Sequence, residues 1–309
     1  MRIVFMGTPA AAVPSLARLL TDGHEVVAVY SQPDKPSGRG NKVSFSPVKE
    51  FALEHGLSIL QPAKIRTLEA LNEFRSHSAE VAVVVAYGRI LPGTYLTAFP
   101  HGAINVHFSL LPKYRGAAPV NWAIANGEIE TGVTTMSMDE GLDTGDIYLQ
   151  KRTPIGTEEN SIQLMDRLAL IGADLLSETL GDLATLVSVK QGSDDSSQAP
   201  IMKKEDGAID WQMAAKEIAE RVRAFQPFPT AYSTYHDKKL TLFRARAIEI
   251  ERSESLPGQI IEAKGDNLII ACGSGTALRV EELQLEGKRR MPTRDFLNGV
   301  RPLAGEGLG

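Results

Sequence analysis

Residues 81–86 read VAVVVA, a run of small and β-branched apolar residues with no polar break. Its length is that of a strand, and its lack of alternation fits a strand covered on both faces, as in a parallel sheet. The flanking sequence repeats the theme. Toward the N-terminus, Arg2–Met6 is a short apolar run ending at Gly7. Pro9–Leu20 then places Val13, Leu16, Leu19 and Leu20 at helical spacing before Asp22-Gly23. Glu25–Tyr30 (EVVAVY) is a second strand signal, and Pro47–His55 is a helix closed by Gly56. Toward the C-terminus, Ala103–Phe108 reads as a strand and leads into the loop SLLPKYRGAAP. Ala118–Asn126 is a short helix stopped by Gly127. Val133–Met138 and Ile147–Pro154 read as strands flanking DEGLDTGD, and an amphipathic helix opens at Thr157-Glu158-Glu159 and runs to about Leu186. Alternating strands and helices predict an α/β fold, a Rossmann-like, doubly wound, mostly parallel sheet whose strand order the sequence leaves open.

A different pattern follows. Gly192–Gln198 (GSDDSSQ) is small and polar, the composition of an exposed connection. Beyond it, Asp210 can cap a helix through Ala224. Short strand candidates then succeed one another at Tyr232–Tyr235, Leu240–Ile250, Gln259–Ala263, Leu268–Ala271 and Leu278–Leu285. These suggest a small antiparallel, OB-like barrel. The expected division is therefore 1–189, a linker at 190–205, and 206–309.

Composition excludes several classes. The 309 residues are 43% apolar and 23% charged, ordinary for a chain with proper cores and unlike disordered or collagenous sequences. A single cysteine, Cys272, forbids an intrachain disulfide and suits a reducing, cytoplasmic setting. No apolar run approaches the length of a membrane span, and MRIVFMGTPAAAVPSL reads as strand and turn rather than as an export signal. The net charge of −5 argues against non-specific coating of nucleic acid. Its distribution weakens that argument, because residues 206–309 carry 15 basic and 15 acidic side chains and the whole deficit lies before them. Lys238, Lys239, Arg244 and Arg246 on one strand candidate, with Lys288-Arg289-Arg290 in a turn, either form a phosphate-binding face or are ordinary charges on exposed strands.

Three motifs were tested for chemistry. GTPAAAVPS offers one glycine where a dinucleotide fingerprint needs three, so a nicotinamide cofactor loses its support, and no phosphate-binding Walker loop is present. Asn105 and His107, two apart on a strand, project to one face at its carboxyl end, where open α/β sheets place their sites; the residues alone fit either catalysis or loop capping. MDEGLDTGD fails the oxygen-ligand spacing of a calcium loop, since Gly141 occupies a ligand position. Its Asp143 is either a carboxylate presented on a tight turn or part of a solvated hairpin tip. Six scattered histidines and one cysteine show no metal-ligand spacing, so no metal is expected. His24, His55, His77, His101 and His236 read as structural.

Taken together, NVHFSLLP and GLDTGD, with FMGTP, SQPDKPSGRG (31–40), AYGRILP (86–92), KKEDGAIDW, RVRAFQPFP and DFLNG, resemble the 10-formyltetrahydrofolate-dependent formyltransferase family over the whole chain. The later motifs resemble the branch that formylates initiator methionyl-tRNA. The resemblance implies the formyltransferase fold, with 10-formyltetrahydrofolate as formyl donor and initiator methionyl-tRNA as acceptor. It also implies a cytoplasmic monomer and the catalytic trio Asn105, His107 and Asp143. Tyr87, Gly88, Arg89, Ile90 and Leu91 would form the pteridine wall. Ser109, Leu110, Leu111, Pro112 and Asp139 would stand on the folate side. Lys35, Arg39 and Lys42 would lie in the loop that meets the acceptor stem, with Lys238 and Lys239 as further tRNA contacts. The segment around Gln226 and Phe228 and the tail PLAGEGLG depart from the family pattern, far from the trio. Formylation of an amino sugar nucleotide or of glycinamide, hydrolysis of the donor, and non-catalytic tRNA binding are the competing readings. Arg39→Ala is expected to weaken use of aminoacylated tRNA while barely changing folate binding. Equal loss in a tRNA-independent assay would contradict that placement.

Overall fold

The computed structural model describes residues 1–37, 42–192, 194–250 and 255–309, and of 35–37 and 42–43 it describes the backbone only. The chain forms two compact units. The first comprises Met1–Pro119, Glu130–Pro154 and Met165–Pro200; the second comprises Val120–Ile129, Ile155–Leu164 and Ile201–Gly309.

Among the strands of the first unit are β1 (Arg2–Gly7), β2 (Glu25–Tyr30), β3 (Lys35–Ser37), β4 (Lys42–Ser44), β5 (Ile59–Leu60) and β6 (Val81–Val85). They continue with β7 (Ala103–His107), β8 (Arg115–Gly116), β9 (Glu130–Ser137), β10 (Ile147–Pro154) and β11 (Gln198–Ala199). Seven of them make one sheet in the order β10-β9-β7-β6-β1-β2-β5. From β7 to β5 the pairings are parallel, whereas β9 runs antiparallel to both β7 and β10. Every residue of β6 is buried, as its unbroken apolar sequence requires of a strand between two covered faces.

The helices in chain order are α1 (Val13–Thr21), α2 (Pro47–Glu54), α3 (Leu68–Ser76), α4 (Gly93–Leu96), α5 (Pro119–Ala125), α6 (Ser161–Gly181), α7 (Ala215–Ala224) and α8 (Thr293–Val300). On one face of the first sheet, Phe74 of α3 packs at 4.6 Å from Tyr95 of α4 and 4.8 Å from Phe99, closing a cluster with Val4, Met6, Tyr30, Val84 and Tyr87. On the other face lies α6. Its Gly172 sits so close to β7 that a Cβ would stand 2.9 Å from Val106, and Thr179 shares a hydroxyl hydrogen bond with Thr135 of β9 at 2.7 Å.

The second unit holds β12 (Ala231–Tyr235), β13 (Lys238–Ile248), β14 (Ile260–Lys264), β15 (Asn267–Ala271), β16 (Ala277–Leu285) and β17 (Met291–Pro292). All five expected strands are present, in an antiparallel sheet ordered β12-β13-β16-β15-β14 with β17 on β16. Its core gathers Trp211, Ile218, Val222, Leu240, Leu242, Ile270, Val280 and Phe296. The tail spans the two outer strands. Ile260 N donates to Glu306 O at 2.8 Å on the β14 side, Gly309 N donates to Thr234 O at 3.2 Å on the β12 side, and Tyr235 Oη donates to Glu306 Oε2 at 2.6 Å. Both sheet edges are thereby given hydrogen-bond partners.

Helix starts differ from expectation for capping reasons. α6 begins at Ser161, because Asn160 accepts from the amides of Ile162 and Gln163 while Gln163 Oε1 accepts from Asn160 N; the acidic Thr157–Glu159 is the preceding turn. α7 begins at Ala215, because Glu217 accepts from Ala214 N, whereas Asp210 closes its own turn by accepting from Gln212 N. The α3 helix, absent from the sequence reading, is capped by Thr67, whose Oγ1 accepts from Ala70 N at 3.3 Å.

Cys272 is 3% exposed, and burial pushes its thiol up to about 12. At pH 8 the native protein should therefore react with a thiol reagent far more slowly than the denatured chain. Equal rates in the two states would show that this core is not formed.

Candidate active site

Alternation along β7 decides where the site lies. Val106 faces α6, so Asn105 and His107 face the opposite side of the sheet at the strand's carboxyl end. Both are almost fully buried, at 8% and 5% exposure. Among the described residues no hydrogen bond engages the Asn105 side chain, so its amide is available to a ligand.

His107 makes one hydrogen bond and one longer charge contact. Nε2 lies 2.9 Å from Tyr114 O and Nδ1 lies 3.7 Å from Asp143 Oδ2. A carbonyl oxygen can only accept, so Nε2 carries the proton of that bond and Nδ1 is the nitrogen turned toward the carboxylate. Asp143 Oδ2 also accepts from Gly116 N at 2.8 Å. The structure thus brings the three trio residues of the sequence reading to one end of the sheet. Asp143 stands at φ 52° and Tyr114 at φ 61°, left-handed conformations that cost a non-glycine residue roughly 1–2 kcal/mol each. Such conformations persist only where neighbouring contacts hold them.

The surrounding loop is braced by polar side chains of β9 and β10. Thr134 of β9, level with His107, donates its hydroxyl to Ser109 O at 2.7 Å and accepts from Leu111 N at 3.2 Å. Gln150 of β10 donates to Leu111 O at 2.8 Å. Ser109 is fully buried and donates to Lys113 O at 2.6 Å, Leu111 is 3% exposed, and Leu110 packs over Gly132. Through these bonds Ser109–Pro112 form a braced turn that carries the chain from His107 to Tyr114. On the far side, Ser197 Oγ accepts from Tyr114 N at 2.9 Å, and β11 pairs with β8.

The segment Tyr87–Leu91 is held by Gln32, which donates to Tyr87 O at 3.1 Å and Gly88 O at 3.0 Å and accepts from Arg89 Nε at 3.1 Å. Tyr87 Oη is buried without a hydrogen-bond partner among the described residues, and burial raises its pKa, so it remains a phenol able to donate. Leu91 is 4% exposed and Ile90 is 70% exposed. Asp139 is tied into its own loop by Thr144 Oγ1 at 2.7 Å and Gly141 N at 3.0 Å. The neighbouring Glu140 lies against Gly93, where a Cβ would meet its Oε1 at 2.2 Å. The loops after β6 and β9 therefore meet beside the trio.

The basic residues are more dispersed. Arg39 lies outside the described residues, and the side chains of Lys35 and Lys42 are not among those described. In the second unit, Lys239 Nζ lies 4.1 Å over the Tyr232 ring and Lys238 is exposed beside it. Arg244 and Arg246 both pair with Glu281, at 2.7 and 3.1 Å, and Arg290 pairs with Glu282. Part of the expected basic face is therefore neutralised by its own strands. Among the described residues, no group of three His, Cys, Asp or Glu side chains is placed to hold a metal ion.

Gln191 and Ser197 shape the site and carried no motif signal, whereas Gln32 lies in SQPDKPSGRG and Tyr114 and Gly116 lie in the SLLPKYRGAAP loop. Gly116 could have been suspected of a structural part, from a glycine standing directly after KYR. Its φ of 124° and the 2.5 Å at which a Cβ would meet Ala199 O exclude any side chain there.

Known proteins agree with this architecture. The formyl transferase domain matches residues 1–180 and the formyl transferase C-terminal domain matches residues 201–301. A methionyl-tRNA formyltransferase of Citrifermentans bemidjiense is 50% identical over 311 residues, covering 100% of this chain and 96% of that protein. Two solved structures share the fold. One is the N-formyltransferase from Helicobacter canadensis in complex with folinic acid and dTDP-3-aminofucose, with TM-score 0.66 and 21% identity over 90% of this chain and 98% of that one. The other is a methionyl-tRNA formyltransferase from Clostridium thermocellum, with TM-score 0.57 and 18% identity over 82% of this chain and 95% of that one. With both domains matched in order and half of all positions identical along its full length to a curated member, the chain belongs to the formyl transferase family, in its methionyl-tRNA formyltransferase branch.

Proposed function

We propose that the protein transfers the formyl group of 10-formyltetrahydrofolate to the α-amino group of methionine on initiator methionyl-tRNA. The observation that carries the chemistry is the placing of the largely buried Asn105 and His107 on one face of β7, with the Asp143 carboxylate turned to His107. The acceptor is argued from the full-length likeness to relatives that bear that activity's name.

The methionyl amine attacks the formyl carbon, and the carbonyl oxygen becomes an anion in the tetrahedral intermediate. The Asn105 amide N–H is a neutral donor pre-set for that oxyanion, and a donor already in place costs no reorganisation at the moment of reaction. The amine must lose one proton, and the departing folate nitrogen must gain one. Asp143 and His107 Nδ1 form a relay that can hold this proton between the two events. In the arrangement seen, Nε2 is held by Tyr114 O and Nδ1 stands 3.7 Å from Asp143 Oδ2, so His107 donates to the oxyanion only through Nδ1 or by releasing Tyr114 O. Tyr87 Oη and the Tyr87–Leu91 segment suit the folate, which needs an apolar wall with a few fixed polar groups. Ser109–Pro112 serve it by bracing the loop that carries Tyr114.

Lys238, Lys239 and the loop bearing Lys35, Arg39 and Lys42 are assigned to the tRNA. Residues 1–189 are assigned to transfer, 190–205 to the connection, and 206–309 to RNA binding. No helix among the described residues is long and apolar enough to cross a membrane, and we take the working form to be a cytoplasmic monomer. Its mass by light scattering should equal that of one 33.5 kDa chain.

Asn105→Ala should lower turnover on the order of a hundredfold or more while leaving folate affinity within a few-fold. Asp143→Asn and His107→Ala should nearly abolish transfer without unfolding the protein. Normal turnover in any of the three would remove that residue from the mechanism. Affinity for tRNA should fall linearly on a log–log plot against salt. A flat response would dismiss the cationic contacts. Transfer measured with initiator methionyl-tRNA, elongator methionyl-tRNA and an amino sugar nucleotide tests the acceptor; activity with the sugar alone would overturn the reading.

A further inference from the structure

Residues 181–200 fall between the two matched domains, and the polar, small-residue run Gly192–Gln198 within them reads as a connection. Their hydrogen bonds say otherwise. Val189 bridges Ile147 of β10, Gln198–Ala199 pair with Arg115–Gly116, and Ser197 holds Tyr114 N. Between these points the half-buried Gln191 reaches the acidic loop, and its Nε2 donates to Asp143 O at 2.9 Å and to Gly145 O at 2.7 Å. Its Oε1 accepts from Arg115 Nε at 3.0 Å and from Arg115 Nη2 at 2.7 Å.

We infer that Gln191 is a positioning residue for the transfer step: its amide, oriented by Arg115, holds the main chain of Asp143 and Gly145 and so sets the Asp143 carboxylate against His107. The inference rests on the catalytic reading of Asp143. A guanidinium can only donate, so Oε1 must face Arg115 and both donor hydrogens of the amide must face the two carbonyls. The reverse orientation would set donor against donor and acceptor against acceptor. The held residue is the one at φ 52°, a conformation that would relax without an external tie. Arg115 and Gly116 act on the same target from one short strand, Arg115 through Gln191 on the main chain and Gly116 N directly on the carboxylate at 2.8 Å. Small displacements of a reacting group are costly, with about 1 Å worth as much as a hundredfold in rate.

A plain tether between the connection and Arg115 would use the same side chain, and substitution separates the two roles. Gln191→Glu keeps the oxygen that Arg115 grips, with added charge, but presents an acceptor to the two carbonyls. Gln191→Leu removes both functions. In the full-length protein, kcat, KM for 10-formyltetrahydrofolate and the thermal midpoint should be measured for both variants, for Asp143→Asn, and for Gln191→Glu combined with Asp143→Asn under single-turnover conditions. For Gln191→Glu the expected result is a kcat lowered about tenfold to a hundredfold, a donor KM within about twofold of the parent and a retained thermal midpoint. In the Asp143→Asn background the same change should add less than about twofold, since the two residues act through one carboxylate. A Gln191→Glu protein with parental kcat, or an undiminished penalty in the Asp143→Asn background, overturns the inference, and the first of these decides even if Gln191→Leu does not fold. Parental turnover of Asp143→Asn itself would instead bring down the catalytic reading. An inactive Asp143→Asn beside a fully active Gln191→Glu would sink only the role given to Gln191.

Discussion

A strand inside a sheet must send successive side chains to opposite faces, and in Ala103–His107 that constraint is fully used. Val106 is spent on packing against α6, close enough that only glycine fits at position 172. Asn105 and His107 are thereby forced together on the other face, at the carboxyl end, where the chain leaves the sheet. A slip of one residue in the register with β9 would exchange the two sets, burying polar groups against α6 and exposing Val106 to the site. The position of the chemistry is in this sense a by-product of core packing.

Burying polar groups at that end creates a second demand, because each must be hydrogen-bonded or answered by substrate. The answer is a shell of loop carbonyls and amides. Thr134 and Gln150 brace the turn after β7, Tyr114 O takes the His107 proton, and Gly116 N takes the Asp143 carboxylate. At this end of the sheet Tyr87 Oη is left buried without a partner among the described residues, and the proposed reaction assigns it one. The same economy explains how two non-glycine residues remain in left-handed conformations beside the site. Arg115, Gln191 and Ser197 hold them from outside the motifs.

Much of this was legible in advance. The VAVVVA run, the strand–helix alternation and five short strands in the second half were read correctly because burial on two faces, burial on one face and exposure leave different hydrophobic periods. Some elements were missed for their shortness, such as α4 and the two-residue strands, and α8 was not read; others turn on capping, namely α3 behind Thr67 and the true starts of α6 and α7 at Asn160 and Ala214. A single side chain oxygen decides such boundaries, and several nearby residues offer one. The basic face was left open between two readings for a related reason. Arg244, Arg246 and Arg290 look free along the chain, and only strand pairing sets them beside Glu281 and Glu282.

The alternation that groups Asn105 and His107, and the family resemblance that proposes the trio, were legible in the sequence alone, since strand spacing and motifs are local properties. The approach of Asp143 to His107, the proton on Nε2 dictated by Tyr114 O, and the part played by Gln191 were decided only by tertiary structure. Each joins segments tens of residues apart, and each depends on distances of a few ångströms between groups whose separation in the chain says nothing about their separation in space.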